Sequence, residues 1–216
     1  MPKGDFLELL NLLLNAAGQT LWMTLIPAVF ACILGIPAGT YLFAASPSGI
    51  RPRPAFYGKA SRVVAVFRSA PAFIILTLLL LPLFQRVSES GAAIIPLSFG
   101  AVCFAARIVE TALSRVNPGL LSAARSMGST DFQIAWKVLI PEALPNLVSG
   151  LALTLIYLIG YSAMAGAVGG RGLGAAAVHY PFRIDITIAA VMAILILSEV
   201  VHWAGIALNR RLRAAR

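Results

Sequence analysis

The chain has 216 residues, of which 59% are hydrophobic and 12% charged. A soluble domain averages about 45–50% apolar and about 25% charged, so this composition excludes an ordinary water-soluble domain and points to a membrane protein. The net charge of +9 informs through its placement, because Lys and Arg gather on the cytoplasmic side of membrane spans.

The N-terminal segment reads as retained. Asp5 and Glu8 lie near Lys3, and the apolar run that follows outlasts the ~7–15 residues of a signal-peptide core. Its stretch "DFLELLNLLLNAA" predicts a short interfacial helix. A bilayer-spanning helix needs about 20 mostly apolar residues, and residues 19–45 form the first predicted span. Pro27 and Pro37 lie inside it, with the small-xxx-small pair Gly35 and Gly39, which lets backbones approach closely. The stretch "SPSGIRPRPAFYGKASR" marks an aqueous loop and a helix start. Residues 68–84 form the second predicted span and residues 92–113 the third. A polar stretch over about 115–141 follows, then spans at 143–168 and 184–208 and the basic tail "NRRLRAAR". The expected fold class is an all-α integral membrane protein of five transmembrane helices, forming a single domain over 1–216.

Five spans place the termini on opposite sides. The loop after the first span, the 115–141 stretch and the tail hold twelve basic residues, against four in the opposite segments (Lys3, Arg86, Arg171 and Arg183). The rich side is therefore cytoplasmic, with the N-terminus extracytoplasmic and the C-terminus inside. Trp22 and Trp203 fall where interfacial anchors belong.

Within 122–141, "SAARSMGSTDFQIAWKVLIP", good helix formers run from Ala123 to Lys137. Pro118 can start a helix and Gly128 can break one. A short helix, a glycine corner and a second short helix along the membrane surface are expected. Arg107 and Glu110, i and i+3 near the inner end of the third span, predict a local ion pair or snorkelling to the inner interface, with a role in a path or beside the 115–141 stretch as the alternative, since lone charges in a bilayer are costly. Glu199 and His202 are one turn apart, but no chain of carboxylates crosses the membrane to make them a proton relay. Cys32 and Cys103 lie in apolar runs without clustered ligands, so neither a disulfide framework nor a metal site is expected. Gly172, Gly174 and Ala177 fit a loose dinucleotide pattern, yet they follow a membrane span rather than a strand. A G-x-x-x-x-G-K-[ST] phosphate loop is absent from the sequence.

The 122–141 stretch resembles the cytoplasmic motif of the inner-membrane subunits of binding-protein-dependent ABC importers. That motif reads Glu-Ala-Ala, three residues, Gly, nine residues, Ile, one residue, Leu-Pro. Here Ser122, Ala123, Ala124, Gly128, Val138, Ile140 and Pro141 keep both gaps, and Ser122 replaces the glutamate. The strings "FRSAPAFIIL", "ARIVETAL", "KVLIPEALP" and above all "GYSAMAGAVGGRGLG" are similar to permeases of methionine uptake systems. The resemblance implies a type I importer permease fold in a bacterial inner membrane. It implies a loop, including Arg125, that docks on a cytoplasmic ATPase, with Ala123 and Ala124 permitting close docking and Pro141 capping a turn into the fourth span. It further implies a homodimer, two ATPase subunits and an extracytoplasmic substrate-binding protein touching the Arg171, Arg183 and Asp185 loop. ATP and magnesium would sit on the partner ATPase, with no cofactor and no catalytic residue on this chain. Methionine, D- or L-, would pass an external gate at Met164, with Tyr161 and Ser162 along the path. The alternatives are a permease for another amino acid, an ion-driven secondary transporter, or a membrane scaffold.

Overall fold

A bilayer offers no water to backbone N–H and C=O groups, so a spanning segment must satisfy them internally, as a helix does. The computed structural model describes residues 3–69, 89–167, 171–179 and 184–214, and every regular element among them is helical. In chain order these are α1 (Lys3–Ala45), α2 (Pro54–Phe67), α3 (Glu89–Leu113), α4 (Pro118–Ser126) and α5 (Asp131–Gln133). A π turn (Ile134–Leu139) leads into α6 (Ile140–Ala167), followed by α7 (Leu173–His179) and α8 (Ile184–Ala214). Four stretches of the described residues are long and apolar enough to cross a membrane: Leu10–Ala45, Ile94–Leu113, Asp131–Met164 and Ile184–Ala214. The predicted span at 68–84 falls almost wholly outside the described residues.

Two boundaries differ from expectation. The interfacial helix and the first span are one helix, the 43 residues of α1. At 1.5 Å per residue it is about 64 Å long, twice a ~30 Å hydrocarbon core. Bilayer thickness is therefore not what ends it. The chain leaves the helix at Ser46, where the Ser46 N–H turns back to the Phe43 carbonyl. The basic segment after it also becomes helical sooner than predicted, because Pro54 sits in the first turn of α2 with a φ already suited to a helix.

α1 and α3 form the most extensive helix pair, and the glycine pair makes it possible. A Cβ on Gly35 would lie 2.7 Å from the Ala105 Cβ. One on Gly39 would collide with the Ala106 carbonyl and approach the Val109 Cβ to 2.6 Å. Above this contact Met23, Ala31, Leu97, Ala101, Ala105 and Leu158 form one buried cluster. Below it Phe43, Ile50, Val109, Leu113, Leu139 and Leu147 form another, which also takes in residues of α4 and the π turn. α6 approaches α3 where Gly150 meets Ile108, and α8 approaches α6 where Gly205 meets Ala152. There Asn209 Nδ2 donates to Ser149 Oγ at 2.6 Å.

The dinucleotide-like glycines have a packing role. Gly172 adopts φ +100, so the Leu173 N–H can donate to Thr20 Oγ1 at 2.9 Å. That hydroxyl donates in turn to the Ala16 carbonyl at 3.0 Å. Gly174 lies against the Ala163 backbone with no room for a Cβ. Short α7 is thereby held between α1 and α6.

Gly39→Ala should lower stability by about 1–3 kcal/mol, the usual range for overpacking, in a denaturant titration in mixed micelles. Gly18→Ala, on the same helix with open space around it, should be neutral or stabilise by up to about 1 kcal/mol.

Candidate functional site

The segment between α3 and α6 is built from local signals. The Asn117 side chain accepts the Gly119 N–H at 2.8 Å, and Pro118 opens α4, so the helix begins on a side-chain cap and a preset φ. Leu121 and Ala124 turn inward to the lower cluster. Ser122, Ala123, Arg125, Ser126 and Met127 are exposed. The two motif alanines thus divide: Ala124 is committed to the chain's own core, and Ala123 alone is presented outward. Ser122, in the motif's glutamate position, spends its hydroxyl on its own helix, donating to the Pro118 carbonyl at 3.3 Å.

α4 ends at a true corner. Gly128 has φ +77. Its N–H donates to the Arg125 carbonyl at 2.9 Å, and the Ser129 N–H donates to the Ala124 carbonyl at 3.2 Å. This is a Schellman closure with glycine in the left-handed position. α5 then starts on a reciprocal cap: Thr130 Oγ1 accepts the Gln133 N–H at 3.4 Å, and Gln133 Oε1 accepts the Thr130 N–H at 3.0 Å.

From Asp131 to Ala167 the chain stays helical. This corrects the expectation of a separate second short helix and of a turn at Pro141. Proline has no N–H and its ring clashes with the carbonyl four residues earlier in an α-helix, here that of Lys137. The π turn absorbs the conflict just before it. There the Ile140 N–H donates to the Ala135 carbonyl, five residues back. Val138 and Ile140 pack against the lower cluster.

Two polar ties fasten this segment to the loop after α1. The Arg125 guanidinium donates to the Ile50 carbonyl, and Arg51 Nε pairs with Asp131 Oδ2 at 2.9 Å. The second pair is exposed and contributes about 0–1 kcal/mol; its use is to fix position. On the outer side Met127 is 84% exposed and Phe132 72%. Trp136 is also exposed, its ring centroid 6.1 Å from that of Phe132. Large apolar side chains gathered on a polar segment mark an interaction surface.

The ion pair expected of Arg107 and Glu110 is present, with Arg107 Nη1 donating to Glu110 Oε2 at 2.6 Å. Two partners from α2 were not foreseen. The Tyr57 hydroxyl donates to Glu110 Oε1 at 2.6 Å, and Arg107 Nη1 also reaches Ser61 Oγ at 3.2 Å. Glu110 is only 6% exposed, so these donors compensate a buried carboxylate and tie α2 to α3.

Of the three expected path residues, Tyr161 stands at the end of an aromatic column. Phe104 stacks on Tyr157 at 4.0 Å, and Tyr157 meets Tyr161 at 4.1 Å. The Tyr157 hydroxyl donates to the Arg68 carbonyl at 3.0 Å; the i, i+4 tyrosine spacing hints at the ring contact alone. Ser162 is buried and donates to the Ile159 carbonyl at 2.7 Å, so its hydroxyl is turned to its own helix. Met164 is half exposed near the end of α6. It lies about 40 Å along the helix axis from Lys137 if 1.5 Å per residue is allowed, far from the corner at Gly128. Glu199 and His202 lie exposed on α8, and Arg183 falls outside the described residues. Among the searched residues, three or more His, Cys, Asp or Glu side chains nowhere gather as a metal site would need.

These features define a helical membrane protein with a rigid surface segment built into one of its spans. The profile of the family described as "Binding-protein-dependent transport system inner membrane component" matches residues 31–214. The chain belongs to that family: it is a permease component of the inner membrane, not an enzyme. It is 42% identical over 208 residues to the probable D-methionine transport system permease protein MetI of Vibrio cholerae serotype O1, covering 93% of this chain and 92% of that one. It is 45% identical over 160 residues to the D-methionine transport system permease protein MetI of Escherichia coli K12, covering 72% and 73%. A solved inward-facing structure of the MetNI methionine ABC transporter superposes with a TM-score of 0.87 at 37% identity, covering 98% of this chain and 99% of that one.

Arg107→Ala would leave Glu110 buried without its ion pair and should cost about 3–5 kcal/mol, read as a loss of thermal stability. The double variant Arg107→Ala/Glu110→Ala should regain a large part of it.

Proposed function

We propose that this chain is the permease subunit of an ATP-driven importer of methionine, accepting the D- and L-forms, and that two copies enclose the path between them. The reading of the substrate is supported by relatives that are themselves named as D-methionine permeases. The observation that carries the coupling is the continuity of Asp131 with Ala167. An element on the surface and a membrane span share one helix, so a push on the first must move the second.

In this reading the spans number five, counting 68–84, with the N-terminus outside and the C-terminus in the cytoplasm. Ser122, Ala123, Arg125 and Met127 on α4, the corner at Gly128, and Phe132 and Trp136 form the docking crest for a cytoplasmic ATPase. Val138, Ile140 and Pro141 lie between crest and span. ATP and magnesium bind on that partner and supply the chemistry; this chain carries no cofactor. When the two ATPases close, the crest is displaced as a rigid body and α6 rocks with it. Met164, half exposed at the far end of α6, meets its counterpart from the second copy and closes the path to the outside. Tyr161 lines the approach, and Ser162 contributes small size rather than a free hydroxyl. The exposed apolar face of α8, with Ile188, Met192, Leu195 and Ile196, supports contact with lipid or the second copy. An extracytoplasmic binding protein delivers the substrate, with Arg171, Arg183 and Asp185, the last in the first turn of α8, as its contact.

The test is uptake of labelled methionine into proteoliposomes holding the permease, the candidate ATPase and the candidate binding protein. Uptake is expected only with ATP. Gly128→Val should lower it at least tenfold by forcing a β-branched residue into a left-handed backbone position and placing bulk on the crest. Uptake driven by an ion gradient in the absence of the ATPase, or normal coupling in the variant, would overturn the proposal.

A further inference from the structure

A concavity lies at the inner end of the bundle, between the end of α2 and helices α3, α6 and α8, with a volume of about 350 Å³. Its walls hold four arginines, Arg68, Arg107, Arg115 and Arg213. Arg107 is neutralised by Glu110. The other three have no carboxylate within ion-pair distance among the described residues. Three uncompensated guanidinium groups around one cavity repel each other; the aromatic column engages Arg68 alone, through the Phe104 ring, and the docking crest uses none of them.

Their surroundings hold them in place. The Arg68 guanidinium lies over the Phe104 ring, 5.9 Å from its centroid, and its carbonyl is pinned by Tyr157. Arg213 Nε donates to Asn209 Oδ1 at 3.2 Å, and Asn209 Nδ2 donates to Ser149 Oγ. That relay leaves the two terminal nitrogens of Arg213 for another acceptor. Asn146 adds a neutral amide to the wall. Apolar side chains line it too: Ile108 and Leu153, the latter 52% exposed.

We infer that this cavity binds the phosphate headgroup of an anionic phospholipid of the cytoplasmic leaflet. Arginine forks suit phosphate oxygens, and basic pockets between transmembrane helices on the cytoplasmic side are where acidic headgroups dock. The depth agrees. Arg115 follows the end of α3 and Arg213 lies in the last turn of α8, at the level of a headgroup. Ile108 is two turns deeper along α3, level with the glycerol and the first acyl carbons, and Arg68, over the Phe104 ring, reaches at least the same depth. A soluble anion gains nothing from Ile108 and Leu153, whereas a lipid uses both walls.

The test uses the full-length chain in nanodiscs, without ATP or partners, so it is independent of the transport reading. Spin-labelled phosphatidylglycerol and phosphatidylcholine are compared by the fraction each contributes to the motionally restricted signal. Wild type should prefer phosphatidylglycerol about fivefold or more, given roughly 1 kcal/mol for each basic residue near the surface. Arg115→Gln/Arg213→Gln should abolish that preference and leave phosphatidylcholine unchanged, and Arg115→Lys/Arg213→Lys should keep at least half of it. Lys59→Gln/Arg62→Gln removes the same charge from the exposed face of α2 and should leave the preference within about twofold of wild type. Equal loss in both Gln pairs would mean diffuse surface attraction and no site. Displacement of the labelled lipid by millimolar inorganic phosphate would assign the cavity to a soluble anion. Either result overturns the inference.

Discussion

The arrangement depends on one apolar junction at the end of the bundle where α1 and α3 terminate. Phe43 and Ile50 close the first helix, Val109 and Leu113 close the third, and Leu121, Ala124, Ile134 and Leu139 are pressed between them. Surface helices on a membrane protein have little propensity-driven stability at nine residues, so α4 exists because Leu121 and Ala124 find this junction. The same burial keeps the Gly128 corner from opening and sets the direction in which Asp131 enters the long helix. Without it, the segment would be a polar loop of no fixed shape. Polar ties such as Arg51 with Asp131 fix its position, while the buried side chains supply its rigidity.

Most of the spans could be read directly. Windows of apolar residues placed the third, fourth and fifth spans close to α3, α6 and α8, because hydropathy responds to the solvent that those helices occupy. The extra length of α1 could not be read that way. Nothing between Asp5 and Gln19 stops a helix, but a reader who expects ~30 Å of hydrocarbon ends it there. In the 122–141 segment, Gly128 announced the corner because few other residues accept its φ. The Thr130 to Gln133 cap is visible in the sequence as T-D-F-Q.

Other features leave no local trace. The division between Ala123 and Ala124 depends on the phase of α4 against the bundle, which only Leu121, three residues before Ala124, could have suggested. Tyr57 and Ser61 meet Glu110 and Arg107 across about fifty positions of sequence, so no spacing rule connects them. The "GYSAMAGAVGGRGLG" string is specific enough to carry a family resemblance, yet Gly172, Leu173 and Gly174 within it serve to seat α7 on Thr20 and Ala163. A string can therefore be diagnostic of a family for reasons of packing.

The π turn between Ile134 and Leu139 has one further consequence. A π turn holds one residue more than the α-helix on either side, and one residue is about 100° of rotation at 3.6 residues per turn. The angular phase between Phe132 and the face bearing Tyr157 and Tyr161 is therefore stored in a single surplus residue. A lever of this kind is set by a count rather than by a bond: lengthening or trimming the chain there by one would leave every contact chemically available and aim the lever at a different point of the compass.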